Sequence, residues 1–326
     1  MDKGGTVLVA IAGILLGAGG GSGAAHDPLD GGVGDAALPD SALDDVPPPA
    51  PAGCTPATQV TQSCAAGWCQ VPPGCFLMGS PPTDPCRDDD ETQHWVTLTH
   101  AFELGQTEVT QAEFQTAMGT NPSRFSACGG TCPVDTVTWH MAAAYANALS
   151  QTAGLQACYT CAGSPAAVSC PPAAAYEADI YACPGYLLPT EAEFEYAYRA
   201  GTTTQLYDGP VLRCWDVDSN ADKIGWYIFN TAQSAGTHPT GEKQPNAWGL
   251  YDMGGNMEEW VHDGYAPYPS DPVVDPVIPI TTEAAHSARG GSWITYAKDM
   301  RGCDRNLFMG TEAHSFRGFR VARTRQ

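Results

Sequence analysis

Between Pro245 and Trp260 the chain reads PNAWGLYDMGGNMEEW, in which Asp252 and Glu259 enclose Gly254, Gly255 and Asn256. Glycines let the backbone fold tightly and aim carbonyl oxygens at a point between the two carboxylates. Hard cations take such an oxygen set, and calcium tolerates its irregular geometry better than magnesium. The residues leave a second reading equally open, a turn whose acids only cap backbone N–H groups. Cysteine is the other reactive group: the chain has 13, yet GGSWITYAKDMRGC, Gly290 to Cys303, carries one, where a copper or redox site wants two thiolates.

Cys158 and Cys161 have zinc-like spacing, but in an exported chain the cysteines crowding this insertion, with Cys170 and Cys183, read as disulfides. Cys214 and Cys303 stand outside the local clusters and are left as candidates to pair with each other. The histidines form no HExxH set. His94 and His140 adjoin Trp or Met, His262 stands two residues after Trp260, and all three read as packing or hydrogen-bonding residues. The run Asp88 to Glu91 reads as a solvated loop, with calcium as the alternative. No glycine-rich phosphate loop stands between a strand and a helix, which excludes nucleotide chemistry of that type.

Three helices must position these groups. TQAEFQTAMG carries a capping box, Thr110 with Glu113, and a glycine stop at Gly119. TWHMAAAYANALS is an Ala-rich helix. PTEAEFEYAYRAG repeats the device with Thr190, Glu193 and Gly201, and places Phe194, Ala197 and Tyr198 on one buried face. HWVTLTHAFEL alternates as a half-buried strand, and FRGFRVAR reads as a closing strand.

The start of the chain points to export. Lys3 precedes the apolar run Val7 to Leu16, too short for a permanent membrane span, and small residues follow through Ala25, so residues 1–25 read as a signal peptide. No cysteine directly follows the run, which favours a soluble exported protein without a transmembrane helix in its mature form. Residues 26–53 hold six Asp, no Lys or Arg and Pro47-Pro48-Pro49, the composition of a disordered acidic linker. Residues 54–73 form a short Cys-rich entry segment. The formal charge of -21 excludes nucleic acid as a partner. The segment from Arg289 onward is locally basic, and its arginines are expected to pair with carboxylates of the same domain.

Four pieces of the chain, in order, resemble the formylglycine-generating enzyme, or sulfatase-modifying factor, family. They are GCFLMGS with FELGQTEVTQAEF; CPVDTVTWHMAAAYANALS; GYLLPTEAEFEYAYRAGT; and PNAWGLYDMGGNMEEW followed by RGGSW and FRGFRVAR. The resemblance implies one α+β domain over residues 74–326, of the C-type-lectin-like superfamily, poor in regular secondary structure and stapled by disulfides. It implies structural calcium held by the side chains of Asp252 and Glu259 and the carbonyls of Gly255 and Met257. A second calcium would begin at Asn220 and Ala221, though its later acidic ligand has no clear counterpart in this sequence.

Oxidases of the family convert a sulfatase cysteine to formylglycine with dioxygen and a copper ion held by two thiolates. The corresponding positions are Thr295 and Met300. A threonine hydroxyl does not ionise near neutral pH and a thioether never becomes an anion, so neither replaces a thiolate on Cu(I). Glu258 and Phe194 also stand where the family has Trp, and Cys303 matches a structural cysteine. The expectation is therefore an exported, calcium-braced binding or accessory module, monomeric and without copper. Its groove, near Ser292, Trp293, Thr295, Tyr296, Arg305 and Glu258, would take a peptide, protein or glycan. The competing expectations are an oxidase that uses an unrecognised thiol or other oxidative chemistry, and a structural envelope protein.

Overall fold

The computed structural model of the chain describes residues 47–54, 56, 64–231, 236–280 and 285–325. The expected signal peptide, residues 1–25, and most of the expected acidic linker lie outside the described residues. The linker's last part is placed: the Pro48 carbonyl accepts the indole N–H of Trp95 at 2.6 Å.

In chain order the strands are β1 (Cys64–Ala65), β2 (Trp68–Val71), β3 (Gly74–Met78), β4 (His94–Leu98), β5 (Phe102–Gly105), β6 (Glu258–Gly264), β7 (Val273–Val274), β8 (Ala285–Arg289), β9 (Arg305–Met309), β10 (Arg317–Phe319) and β11 (Ala322–Thr324). The helices are α1 (Gln111–Met118), α2 (Trp139–Thr152), α3 (Glu191–Arg199) and the single turn α4 (Ala221–Ile224). The strands make three small sheets, ordered β1-β2-β5-β11, β3-β4-β7 and β10-β6-β8-β9. Long connections link them, as expected of an α+β fold with little regular structure.

Both capping boxes form. The Thr110 and Thr190 hydroxyls accept the N–H of Glu113 and Glu193, and each glutamate accepts the cap residue's N–H in return. α1 ends at Gly119 in the left-handed region, as read. α3 stops one residue earlier than read, with Ala200 at φ 45°. It also has no solvent face, because every residue from Glu191 to Arg199 is buried, where the sequence pattern had given one apolar side.

Burying the polar side of α3 requires partners for its charges. Arg289 on β8 pairs with Glu195, Arg305 on β9 makes two bonds to Glu191 at 2.7 and 2.9 Å, and Arg199 pairs with Glu195 at 2.7 Å. The C-terminal arginines thus meet carboxylates of their own domain.

The continuous strand expected over residues 94–104 is two strands in different sheets. The chain leaves β4 at Thr99, whose N–H donates to Asp275, and re-enters at Phe102. The closing strand is likewise two pieces. β10 runs parallel to β6 and β11 antiparallel to β5, with the Arg320 guanidinium turned inward between them.

Six disulfides form: Cys54–Cys75, Cys64–Cys69, Cys86–Cys214, Cys128–Cys132, Cys158–Cys183 and Cys161–Cys170. The zinc alternative at Cys158 and Cys161 is excluded by these bonds. Cys214 takes Cys86 rather than Cys303, which remains a buried free thiol.

Candidate functional site

The loop after β8 turns on itself before it reaches the surface. Thr295 N–H and Oγ1 both donate to the Ser292 carbonyl, and Ser292 N–H donates back to Thr295 Oγ1 at 2.8 Å. The threonine hydroxyl is therefore spent on the turn. Met300 is fully buried, with its methyl end against Gly225 and Gly255. The Tyr198 hydroxyl donates to the Met300 carbonyl at 2.5 Å, sealing this side.

Cys303 cannot substitute for the missing pair. It is 1% exposed, Arg301 Nη1 donates to its sulfur at 3.3 Å, and burial pushes the thiol far above its ordinary range. A site of this composition does not fit copper, because it offers no thiolate.

Around the same loop the surface is aromatic. Tyr296 meets Trp215 edge-on at 5.4 Å and Phe229 at 5.9 Å. Trp215 is 63% exposed, and Ile294, Leu212 and Val217 are also exposed on these loops. Lys298 Nζ lies over the Trp215 ring and pairs with Asp88, while Lys298 N–H donates to the Cys214 carbonyl. Trp293 is half-buried, edge-on to Phe125, and Ser292 is buried.

Two residues expected in the groove are not on this surface. Arg305 is buried on Glu191 with its guanidinium over Tyr268, and Glu258 is buried on Arg317 at 3.1 Å, so both charges are neutralised inside. Sequence pattern missed Trp215, Phe229 and Leu212, because loop residues have no period that tells an exposed ring from a buried one.

At the glycine loop Arg320 Nη2 donates to the Asp252 carbonyl at 3.3 Å and to Glu259, and a carboxylate that the sequence reading omitted joins them. Glu108, just before α1, accepts from Met257 N–H at 3.1 Å and from Asn256 Nδ2 at 3.2 Å. Gly255 sits at φ +84°, where a Cβ would lie 2.6 Å from the Trp226 carbonyl, so no other residue fits. Both Glu259 oxygens accept from Arg320 at 2.7 Å.

Asp252 takes the Gly241 N–H on Oδ2, while its buried Oδ1 has no hydrogen-bond partner among the described residues. Three carboxylates thus face one guanidinium. Burial raises the Asp252 carboxyl to about 6 and that of Glu108 well above its usual range, the latter also through the charges of Asp252 and Glu259. Excess buried negative charge and an orphaned carboxylate oxygen fit a cation held at Asp252.

The other candidate cation segments are met by the protein's own cations. Asn220 Oδ1, on the proposed second calcium segment, accepts from Lys223 Nζ at 3.0 Å, and Ala221 begins α4. Asp88, Glu91 and Asp304 place carboxylate oxygens within 4.8 Å of one another, but the buried Arg301 guanidinium grips Glu91 at 2.6 and 2.8 Å. Glu91 is fully buried, so the run Asp88 to Glu91 is not simply a solvated loop.

The family model described as "Sulfatase-modifying factor enzyme 1-like domain" matches residues 55–325. The chain is 30% identical to the chaperone protein LppX of Paenibacillus barcinonensis over 223 residues, 61% of this chain and 71% of that protein. It is 37% identical to the formylglycine-generating enzyme of Streptomyces coelicolor over 123 residues, which span only 37% of that enzyme. Among solved structures, Treponema denticola variable protein 1 superposes with a TM-score of 0.65 at 29% identity, covering 79% of this chain and 95% of that one. PvdO from Pseudomonas aeruginosa, at 24% identity and a TM-score of 0.61, shares the fold. From its glycine loop to its closing arginines, this chain belongs to the sulfatase-modifying factor family.

Proposed function

We propose that this protein is an exported, non-oxidase member of the family that binds apolar segments of client polypeptides through the aromatic surface around Tyr296. One observation carries the reading: where the family's oxidases hold copper, this chain has a turn-bound threonine and a sealed methionine, beside rings left open to solvent. The six disulfides support export, since such bonds persist outside the reducing cytosol. Among the described residues no helix is long and apolar enough to cross a membrane. The likeness to a chaperone supports a polypeptide client, and an exposed aromatic cluster is the kind of surface that serves as a binding anchor.

The test has two arms. Incubation with copper, a reductant, oxygen and a peptide bearing Cys-x-Pro-x-Arg should give no aldehyde by mass spectrometry; conversion would replace this reading with the oxidase. The protein should also suppress aggregation of a thermally unfolding client, and Trp215→Ser or Tyr296→Ser should weaken that binding by about 2 kcal/mol, roughly 30-fold in Kd. Suppression that survives both changes places the client elsewhere.

We further propose that calcium braces the glycine loop through Asp252 Oδ1 and the carbonyls of Gly255 and Met257, with Glu108 and Glu259 supplying charge. A bound ion at 100 times its Kd adds about 2.7 kcal/mol of stability. EGTA is therefore expected to lower Tm and calcium to restore it, and Asp252→Asn should erase that calcium-dependent increment. A Tm indifferent to both reagents removes the ion from the account.

A further inference from the structure

We propose that the cavity behind the disulfide-bonded insertion binds a small organic ammonium ion that also carries a hydroxyl or amide group. The cavity has a volume of about 800 Å³ and shares no residue with the aromatic surface or the glycine loop. One wall belongs to the segment closed by Cys158–Cys183 and Cys161–Cys170, the other to the loop that follows β7, and His262 on β6 also lines it. The two bonds hold the first wall in place before any ligand arrives, which reduces the ordering cost of binding.

Charge selects the ligand's sign. Glu177, Asp179 and Asp275 line the cavity and no Lys or Arg does. Stacking of His100 on Tyr181, with centroids 5.5 Å apart and planes 10° apart, gives a flat apolar face for a carbon skeleton, continued by Pro172 and Ile280.

The second polar group is His262, which is only 3% exposed. Its Nδ1 lies 3.0 Å from the Tyr159 hydroxyl, which also accepts the Leu188 N–H at 3.1 Å. Burial holds the imidazole neutral, with its pKa lowered to about 4. Among the described residues Nε2 makes no hydrogen bond, and a ligand hydroxyl or amide can pair with it as donor or acceptor, whichever nitrogen carries the ring proton. Carboxylates for the nitrogen, an aromatic face for the carbons and one ring nitrogen for a hydroxyl or amide describe an amino sugar or a lysine-type amide equally well.

The experiment titrates the full chain at 150 mM salt with glucosamine and, separately, with Nα-acetyl-lysine amide, following the His262 ring 1H–15N signals. A saturable, single-site shift with either amine is expected, and which amine gives it identifies the source as sugar or amino acid. The N-acetylated counterpart of the active amine should bind at least tenfold more weakly. The Glu177→Gln/Asp275→Asn pair should weaken binding at least tenfold, whereas Asp216→Asn, on an exposed carboxylate outside the cavity, should not change it. Asn tolerates the positive φ of Asp275 and keeps an oxygen to accept the Thr99 N–H. No saturable shift with either amine, or binding indifferent to the pair, overturns the proposal. The aromatic surface plays no part in this test, so its outcome is separate from that of the proposed function.

Discussion

Arg301→Leu is expected to destabilise the protein by about 3–5 kcal/mol, because it leaves buried carboxylates without a counter-charge. Arg301 is fully buried and, besides the Cys303 sulfur, reaches five groups at once. It grips Glu91 with two bonds, lies 3.6 Å from both Asp84 and Asp304 and 3.7 Å from Asp88, and donates to the Lys298 carbonyl at 2.7 Å. Glu91 and Asp304 come from positions more than 200 residues apart, so the guanidinium also ties the β4 approach to the loop before β9. Without it, Glu91 must either stay charged in a dry site or take up a proton. The pair's net value is smaller than the cost of breaking it, so Arg301→Leu with Glu91→Leu should recover a large share of the loss. Urea denaturation of the two variants measures this. A loss under about 1 kcal/mol in the single variant would show that water reaches the cluster and screens it.

The second large effect is loss of the Cys86–Cys214 bond, which joins residues 128 apart in sequence. In the chain-entropy account a loop of that length contributes about 5 kcal/mol, whereas the four-residue separation of Cys128 and Cys132 corresponds to about 2 kcal/mol. The Cys86→Ala/Cys214→Ala variant should therefore melt well below Cys128→Ala/Cys132→Ala. Its damage should also reach the aromatic surface, since Cys214 adjoins Trp215 and its carbonyl holds the Lys298 N–H. Client binding should fall in the first variant and persist in the second. Equal melting points for the two would mean that the loop joining Cys86 to Cys214 is already restrained in the unfolded state.

Much of the frame was legible in the residues alone. The capping boxes at Thr110 and Thr190 need groups three residues apart, and such contacts form wherever the helix forms. The four motif pieces named the fold family, and the absence of thiols at Thr295 and Met300 was visible without coordinates. Helix α3 is where the pattern failed. Its pattern put only Phe194, Ala197 and Tyr198 on a buried face, and its three glutamates and one arginine are buried as well because Arg289 and Arg305 arrive from strands about 100 residues later.

The same limit governs the site. The sequence by itself determined which groups exist: an acidic glycine loop, an odd cysteine, a histidine close to Trp260. Only the tertiary structure decided that Glu108 joins Asp252 and Glu259, that Cys86 rather than Cys303 takes Cys214, and that His262 lines a cavity whose walls come from two distant loops. Local hydrogen bonds are fixed by spacing along the chain, whereas the partner of a buried charge or sulfur is fixed by which segments the fold packs together. No residue's type carries that information.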